Sequence, residues 1–319
     1  MAFASIYVPN FILQAVLRAE PHLVTETNSH AEKKPHADKK QPAKADWRDE
    51  VVALIEGEPP LGKVVAMSAR AAQAGIELGM AKANAEQFAG VEIRERSRMQ
   101  EKSAHAALLD IGWSISPRIE ETAQDAIAID VAGLGHLFSS DEEIGAQVVA
   151  RARECGLAAN AAITANVETA LIAARGFAGV TVIPRGEEAK YLSALPVDVL
   201  LPAVFNFTGF PPEQISEALQ MSETLQRWGV RTCGAFAELP VLGLSERLGQ
   251  EGVRLHALAR GVNDRSLAIA EAADFFEEEM ELDDAVEELE PLSFLLGRLL
   301  GQLCARLSAR ALAAGAIRV

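Results

Sequence analysis

Glu120, Asp125 and Asp130 punctuate the stretch Ser116–Phe138, which reads SPRIEETAQDAIAIDVAGLGHLF. Carboxylates are the side chains that hold Mg²⁺, a hard ion usually bound by one or two of them together with substrate phosphates. Two such ions stabilise the attacking and leaving oxygens of an in-line displacement at phosphorus. A carboxylate at a strand end also has a plainer role, capping a turn or meeting solvent, and the residue types alone favour that role. Asp125 and Asp130 differ by an odd number of positions. On one strand they face opposite sides, which argues against a shared ion.

The element that positions these acids is a strand. Ala126–Val131 alternates small and branched apolar residues, with Gly133 and Gly135 beyond, as a buried strand ending in a turn does. Asp125 stands at its entrance and Asp130 inside it. The N-terminus, FASIYVPNFILQAVLRAEP, reads as an apolar strand followed by a helical rhythm.

These segments resemble the Y family of translesion DNA polymerases, whose palm motif reads roughly SPxVExxSIDExFLDVTGxxxLF. Ser116, Pro117, Ile119, Glu120, Ile129, Asp130, Val131, Gly133, Leu137 and Phe138 fit it. The family's metal-binding Asp falls on Asp125, and its neighbouring catalytic Glu falls on Ala126. At the N-terminus the first metal-binding Asp falls on Tyr7, the next Asp on Pro9, and the aromatic residue that screens out ribonucleotides on Ile12. Gly62–Met80, GKVVAMSARAAQAGIELGM, resembles the fingers motif GVVxTxNYEARxxGVxxGM. Its triphosphate-holding Tyr and Arg fall on Ala69 and Ala72. Arg70 lies between them, but on a helix it points about 100° away from either neighbour. A third phosphate contact, a Lys within SxNKxLAKxAS, falls on Leu171 in Ala165–Ala174.

Leu225–Leu267, LQRWGVRTCGAFAELPVLGLSERLGQEGVRLHALARGVNDRSL, resembles the family's thumb over its whole length. Gly229 and Gly234 are expected where a positive dihedral or a close helix approach demands glycine. The family's GVG hairpin, which grips phosphates, is replaced after Leu195-Pro196-Val197 by LLPAVFNFTGFPPEQISEALQ, with a helix starting near Glu213.

What the resemblance implies follows from these positions. Each lost electrostatic contact costs roughly 3 kcal/mol, or about a hundredfold in rate, and several together leave no turnover. The pattern is most like the ImuB branch of the family, whose members keep the fold and lack the catalytic residues. The implied fold is α+β: a mixed-sheet palm with helices, small fingers, a helical thumb and a partial little finger. The implied boundaries are palm at 1–24 and 101–190, a flexible insertion at 25–46, fingers at 47–100, thumb at 191–268 and little finger at 269–319. The implied role is a non-catalytic adaptor in damage-induced mutagenesis. Its implied partners are the sliding clamp, an ImuA-like protein and an error-prone C-family replicative polymerase, with no cofactor and no bound metal. The alternative is a divergent polymerase using Asp125, Asp130 and Glu120 with Mg²⁺ or Mn²⁺. A structural or regulatory domain sharing only the fold is a third reading.

Composition sets the outer bounds. A chain of 319 residues, 49% hydrophobic, predicts two to four packed units rather than disorder. No apolar run reaches membrane-span length, and the start lacks the basic segment and cleavage pattern of a signal peptide. Cys155, Cys233 and Cys304 show no metal spacing and read as core thiols of a cytoplasmic protein. The net charge of −15 opposes avid binding to DNA. A local basic stripe is still open to weak DNA binding, with Arg227, Arg231, Thr232, Arg247, Arg254, Arg260 and Arg265 as its candidates; the plainer reading is solvated helix faces. Thr25–Asp46, with His30 and His36 and preceded by His22, reads as a lysine-rich linker rather than a metal site. Phe275–Leu282 predicts a strand, Leu289–Ala314 a helix ended by Gly315, and Ala316–Val319 a further strand whose unpaired edge calls for a missing segment or a partner.

Overall fold

The computed structural model describes residues 2–18, 50–58, 60–204, 212–263, 265–272, 275–280, 282 and 286–319, with backbone alone for 203–204 and 212–217. The segment 25–46 and its histidines, with His22, lie outside the described residues. In chain order the first elements are β1 (Phe3–Tyr7), α1 (Phe11–Leu17), β2 (Val52–Glu56), β3 (Lys63–Met67), α2 (Ala69–Gln73), α3 (Lys82–Ala85), β4 (Glu92–Glu95) and α4 (Arg98–Trp113). Then come β5 (Ile119–Ala123), β6 (Ala126–Asp130), α5 (Asp141–Glu154), β7 (Asn160–Thr164), α6 (Val167–Gly176) and β8 (Val180–Val182). The remainder is helical: α7 (Glu188–Leu192), α8 (Leu201–Val204), α9 (Pro212–Arg227), α10 (Cys233–Ala237), α11 (Val241–Ala259) and α12 (Leu289–Ala309). The architecture is α+β, as the sequence predicts.

A five-stranded mixed sheet of order β5-β6-β1-β7-β8 carries the candidate site. β1 lies at its centre, antiparallel to β6 and β7, and α6 crosses between the parallel pair β7 and β8. The alternation in β6 has a direct packing consequence. Ile127 and Ile129 enter a large core with Ile6, Leu108, Ile111, Ile144 and Val148, against α4 and α5. Ala126 and Ala128 face the other way, where their small size lets Val167 and Leu171 of α6 approach. Hydrophobic burial drives both contacts, and period 2 assigns the sides. Asn166 caps α6, its Oδ1 accepting the Thr169 N–H at 2.9 Å.

A second, three-stranded sheet of order β3-β2-β4 has its own core around Ile55, Val64, Ala71 and Ile76. Buried Glu101 of α4 ties it to the rest. Arg96 donates to both Glu101 carboxylate oxygens, at 2.6 and 3.1 Å, and to Glu56 of β2 at 2.9 Å. The forked guanidinium suits this bidentate role. A third core joins the back of α6 to α9, α10 and α11 through Ile172, Leu192, Leu225, Phe236, Leu255 and Leu258. Within it Gly229 adopts φ 76°, and a Cβ on Gly234 would lie 3.0 Å from the Ser193 backbone oxygen, so both glycines sit where the sequence expects.

The C-terminal expectations need correction. Residues 275–280 carry no regular secondary structure, and neither do 316–319, and among the described residues no neighbouring strand offers them a ladder. The long helix ends at Ala309, short of Ala314. Ala311 takes φ 53°, the Leu312 N–H donates to Leu307 O at 2.9 Å and the Ala311 N–H to Ser308 O at 3.0 Å. This is a Schellman stop built on alanine, not on Gly315. α12 docks on α4 through ion pairs. Arg306 donates to Asp110 at 2.7 Å and to Glu278 at 3.0 Å, and stacks 5.3 Å from the Phe276 ring centroid. Cys155 and Cys233 are buried, whereas Cys304 on α12 is exposed and is not a core thiol.

Candidate functional site

The end of the sheet where β1 leaves and β6 begins brings three predicted positions together. Tyr7 pairs across the ladder with Ala126, and the Val8 N–H donates to the Asp125 carbonyl at 2.9 Å. Asp125 lies in the β5–β6 turn rather than in the strand. Leu171 is buried beneath them in a cluster with Phe3, Ala126, Ala128 and Val167, against which Tyr7, Ala123 and Leu267 pack. The sheet face at this point is therefore apolar.

A residue the sequence reading missed completes the group. Arg175, at the end of α6, has a side chain only 9% exposed, and its Nη2 lies 3.8 Å from Asp125 Oδ1. Its Cζ sits 5.6 Å from the centroid of the Tyr7 ring, within reach of a cation–π attraction. Burial pushes the Asp125 carboxyl up, and the Arg175 charge, with a backbone hydrogen bond and His105, pulls it partly back. Burial and the Asp125 charge raise the Tyr7 phenol, opposed by Arg175. Asp125 Oδ1 is buried with no hydrogen-bond partner among the described residues. The signal for Arg175 was present in the helix period. It stands one turn beyond Leu171, on the stripe that α6 turns toward the sheet.

These donors do not fit a Mg²⁺ ion. Mg²⁺ demands carboxylate oxygens, near-ideal octahedral geometry and retained waters. Here one carboxylate remains, its inner oxygen faces a guanidinium, and the adjoining positions are phenol and methyl. Among the described residues no three His, Cys, Asp or Glu side chains gather in a way that would hold a metal.

The other acids are elsewhere. Asp130 sits at the far end of β6, about 16 Å along the strand from Asp125 by strand rise, paired with Arg118 at 3.1 Å. Length, not facing, separates the two aspartates, because Asp125 precedes the strand. Glu120 is buried and clamps Arg265 through both oxygens, at 2.7 Å each. Glu168 accepts from the same guanidinium at 2.5 Å, and Glu120 also accepts the Ala268 N–H at 2.6 Å. Arg265 is therefore an internal tie between β5, α6 and the segment after α11, and leaves the proposed basic stripe.

The phosphate-contact positions of the small sheet are exposed. Ala69, Arg70 and Ala72 lie in α2, whose Ser68 cap accepts the Ala71 N–H at 3.1 Å and donates to Glu50 O at 2.6 Å. Among the stripe candidates, Arg227 pairs with Glu223 at 3.6 Å and Arg247 stacks on Trp228 at 5.6 Å. Thr232 caps α10, accepting the Ala235 N–H at 3.2 Å. Arg231, Arg254 and Arg260 are exposed. No helix among the described residues is long and apolar enough to cross a membrane.

Comparison with known proteins places the chain in a family and a fold. The chain is 24% identical to protein ImuB of Caulobacter vibrioides over 209 residues, 66% of this chain and 42% of that protein. It is 31% identical to DNA polymerase IV of Methanoculleus marisnigri over 150 residues, 46% of this chain and 38% of that protein. The chain thus spans less than half the length of these curated relatives. In fold it is similar to DinB from Sulfolobus solfataricus, with TM-score 0.60 and 14% identity over 84% of this chain and 69% of that one. A post-insertion binary complex of Dbh DNA polymerase gives TM-score 0.59 at 14% identity, with the same coverage. Residues 6–175, more than half of the chain, match the impB/mucB/samB family. By that match and by its fold, the chain belongs to the impB/mucB/samB family.

Proposed function

We propose that this protein is a non-catalytic relative of the Y-family polymerases that serves as an adaptor in translesion synthesis and damage-induced mutagenesis. The observation that carries the reading is the Tyr7–Asp125–Arg175 group at the end of the sheet. Nucleotidyl transfer needs negative oxygens there to hold metal, and a fixed cation beside a single carboxylate leaves no net negative charge for it. Leu171 in place of a cation, and exposed alanines at 69 and 72, remove the contacts that would hold a triphosphate. Similarity to ImuB supports the adaptor role. Its partners in this reading are the sliding clamp, an ImuA-like protein and an error-prone replicative polymerase, with weak DNA binding through Arg231 and Arg260 beside Thr232 and Arg227. Pull-down of purified protein against clamp and polymerase tests the adaptor role directly, and capture of neither contradicts it.

A second reading is a divergent polymerase acting through Asp125. The similarity to DNA polymerase IV favours it. Primer extension in Mg²⁺ and in Mn²⁺ separates the two, since incorporation abolished by Asp125→Ala belongs to the second alone.

A further inference from the structure

We infer that Arg175 is a covalently attached substitute for the divalent cation, and that it closes this end of the sheet to metal. The inference rests on the adaptor reading of the same site and specifies how the fold tolerates its surviving acid. Asp125 is held in place by the turn and by the Val8 N–H to its carbonyl, so its carboxylate stays near the sheet whether or not a metal comes. The Asp125 side chain is 25% exposed, but its Oδ1 is buried, and a buried charged oxygen without a counter-charge is destabilising. Arg175 Nη2, 3.8 Å from Oδ1, supplies that charge from the last turn of α6. Three features fix the guanidinium there: a side chain 9% exposed, the Tyr7 ring at 5.6 Å, and the small side chains of Ala126 and Ala128, which let α6 approach. His105 stands on the far side of the turn, its Nδ1 2.9 Å from Gln124 O and its Nε2 2.8 Å from Glu121. His105 thus pins the turn and adds a weaker pull on the Asp125 carboxyl, whereas Arg175 is the cation 3.8 Å from Asp125 Oδ1. A divalent ion entering this space meets a fixed positive charge within about 4 Å of the one carboxylate found there among the described residues, which cancels much of the attraction that acid offers and leaves little to offset the ion's dehydration.

Thermal unfolding of the whole protein in EDTA, Mg²⁺ and Mn²⁺ tests this with Arg175→Met, Asp125→Asn and the double variant. Arg175→Met leaves the acid unpaired, and its midpoint is expected to fall by about 5 °C or more. The double variant is expected to recover most of that loss, since removing the acid removes the need for the cation. Mn²⁺ is expected to raise the midpoint of Arg175→Met and leave the parent unchanged. Additive losses in the double variant, or a parent midpoint raised by Mn²⁺, overturn the inference. Should Arg175→Met fail to fold, Arg175→Lys replaces it in the cycle: it keeps the charge, is expected to stay indifferent to Mn²⁺, and stabilisation by Mn²⁺ counts against the inference. Absence of incorporation in primer extension leaves these outcomes free to go either way, so the two claims fail separately.

Discussion

At the scale of single residues, buried charge decides more than catalytic propensity does. Arg265 neutralises two carboxylates, Glu120 at 8% and Glu168 at 5% side-chain exposure. Hydrogen bonds to both hold the guanidinium above its ordinary range despite burial. Arg265→Met therefore leaves two buried acids without a cation, and we expect a loss of about 3 kcal/mol in urea unfolding. Arg265→Lys recovers only part of it, because an ammonium lacks the fork that both oxygens of Glu120 use. An unchanged urea midpoint contradicts the tie. The thiols give a second residue-scale test. Burial pushes the Cys155 thiol up to about 11 and the Cys233 thiol up to about 12, while Cys304 is exposed. At pH 8 a disulfide reagent is expected to label one thiol quickly and the other two only on unfolding. Fast labelling of more than one contradicts the burial. Sequence alone exposed the positions Tyr7, Asp125, Ala126 and Leu171, because they lie inside contiguous motifs. It missed Arg175, and it assigned Arg265 to a solvent-facing stripe, because the partners of Arg265 lie 145 and 97 positions away and no local period reports such a pairing.

At the scale of elements, patterns with a short period were legible and stops were not. The alternation in Ala126–Val131 predicts a buried strand, and the structure sets its larger residues on one face and its alanines on the other. Glycine at 229 and 234 is placed correctly, since positive φ and close approach are properties of the residue itself. The end of α12 was misplaced because the left-handed stop falls on an alanine, which carries no signal. Ala311 at φ 53° accepts a conformation that glycine adopts freely. Ala311→Gly is therefore expected to stabilise the docked helix by about 0.5–1 kcal/mol, read as slower amide exchange across 303–310. Faster exchange there contradicts the assigned stop. The strands expected at 275–282 and 316–319 show the limit of composition. Alternating apolar residues make a strand only where a neighbour supplies hydrogen bonds. Here Arg265 is fastened instead to Glu120 of β5, and Glu278 is held by Arg306, which also clamps Asp110 of α4.

At the scale of the whole molecule, a polymerase-like frame surrounds a site whose one acid is balanced by a fixed cation. The fold combines a five-stranded sheet, a small three-stranded sheet and a helical C-terminal half, and the similar solved folds cover 84% of the chain. The frame was legible because the motifs that carry the family resemblance recur along much of the chain, from the N-terminal strand to the thumb-like segment. That balance shows in three dimensions, where Arg175 reaches the acid that the resemblance places at the metal position. An acidic chain of net charge −15 suits contact with protein partners better than tight binding to DNA. The most direct test of the central claim is single-turnover primer extension with excess protein on a primer–template, in Mg²⁺ and again in Mn²⁺. The account predicts no extended product beyond a protein-free control in either metal. Extended product that disappears in Asp125→Ala contradicts it.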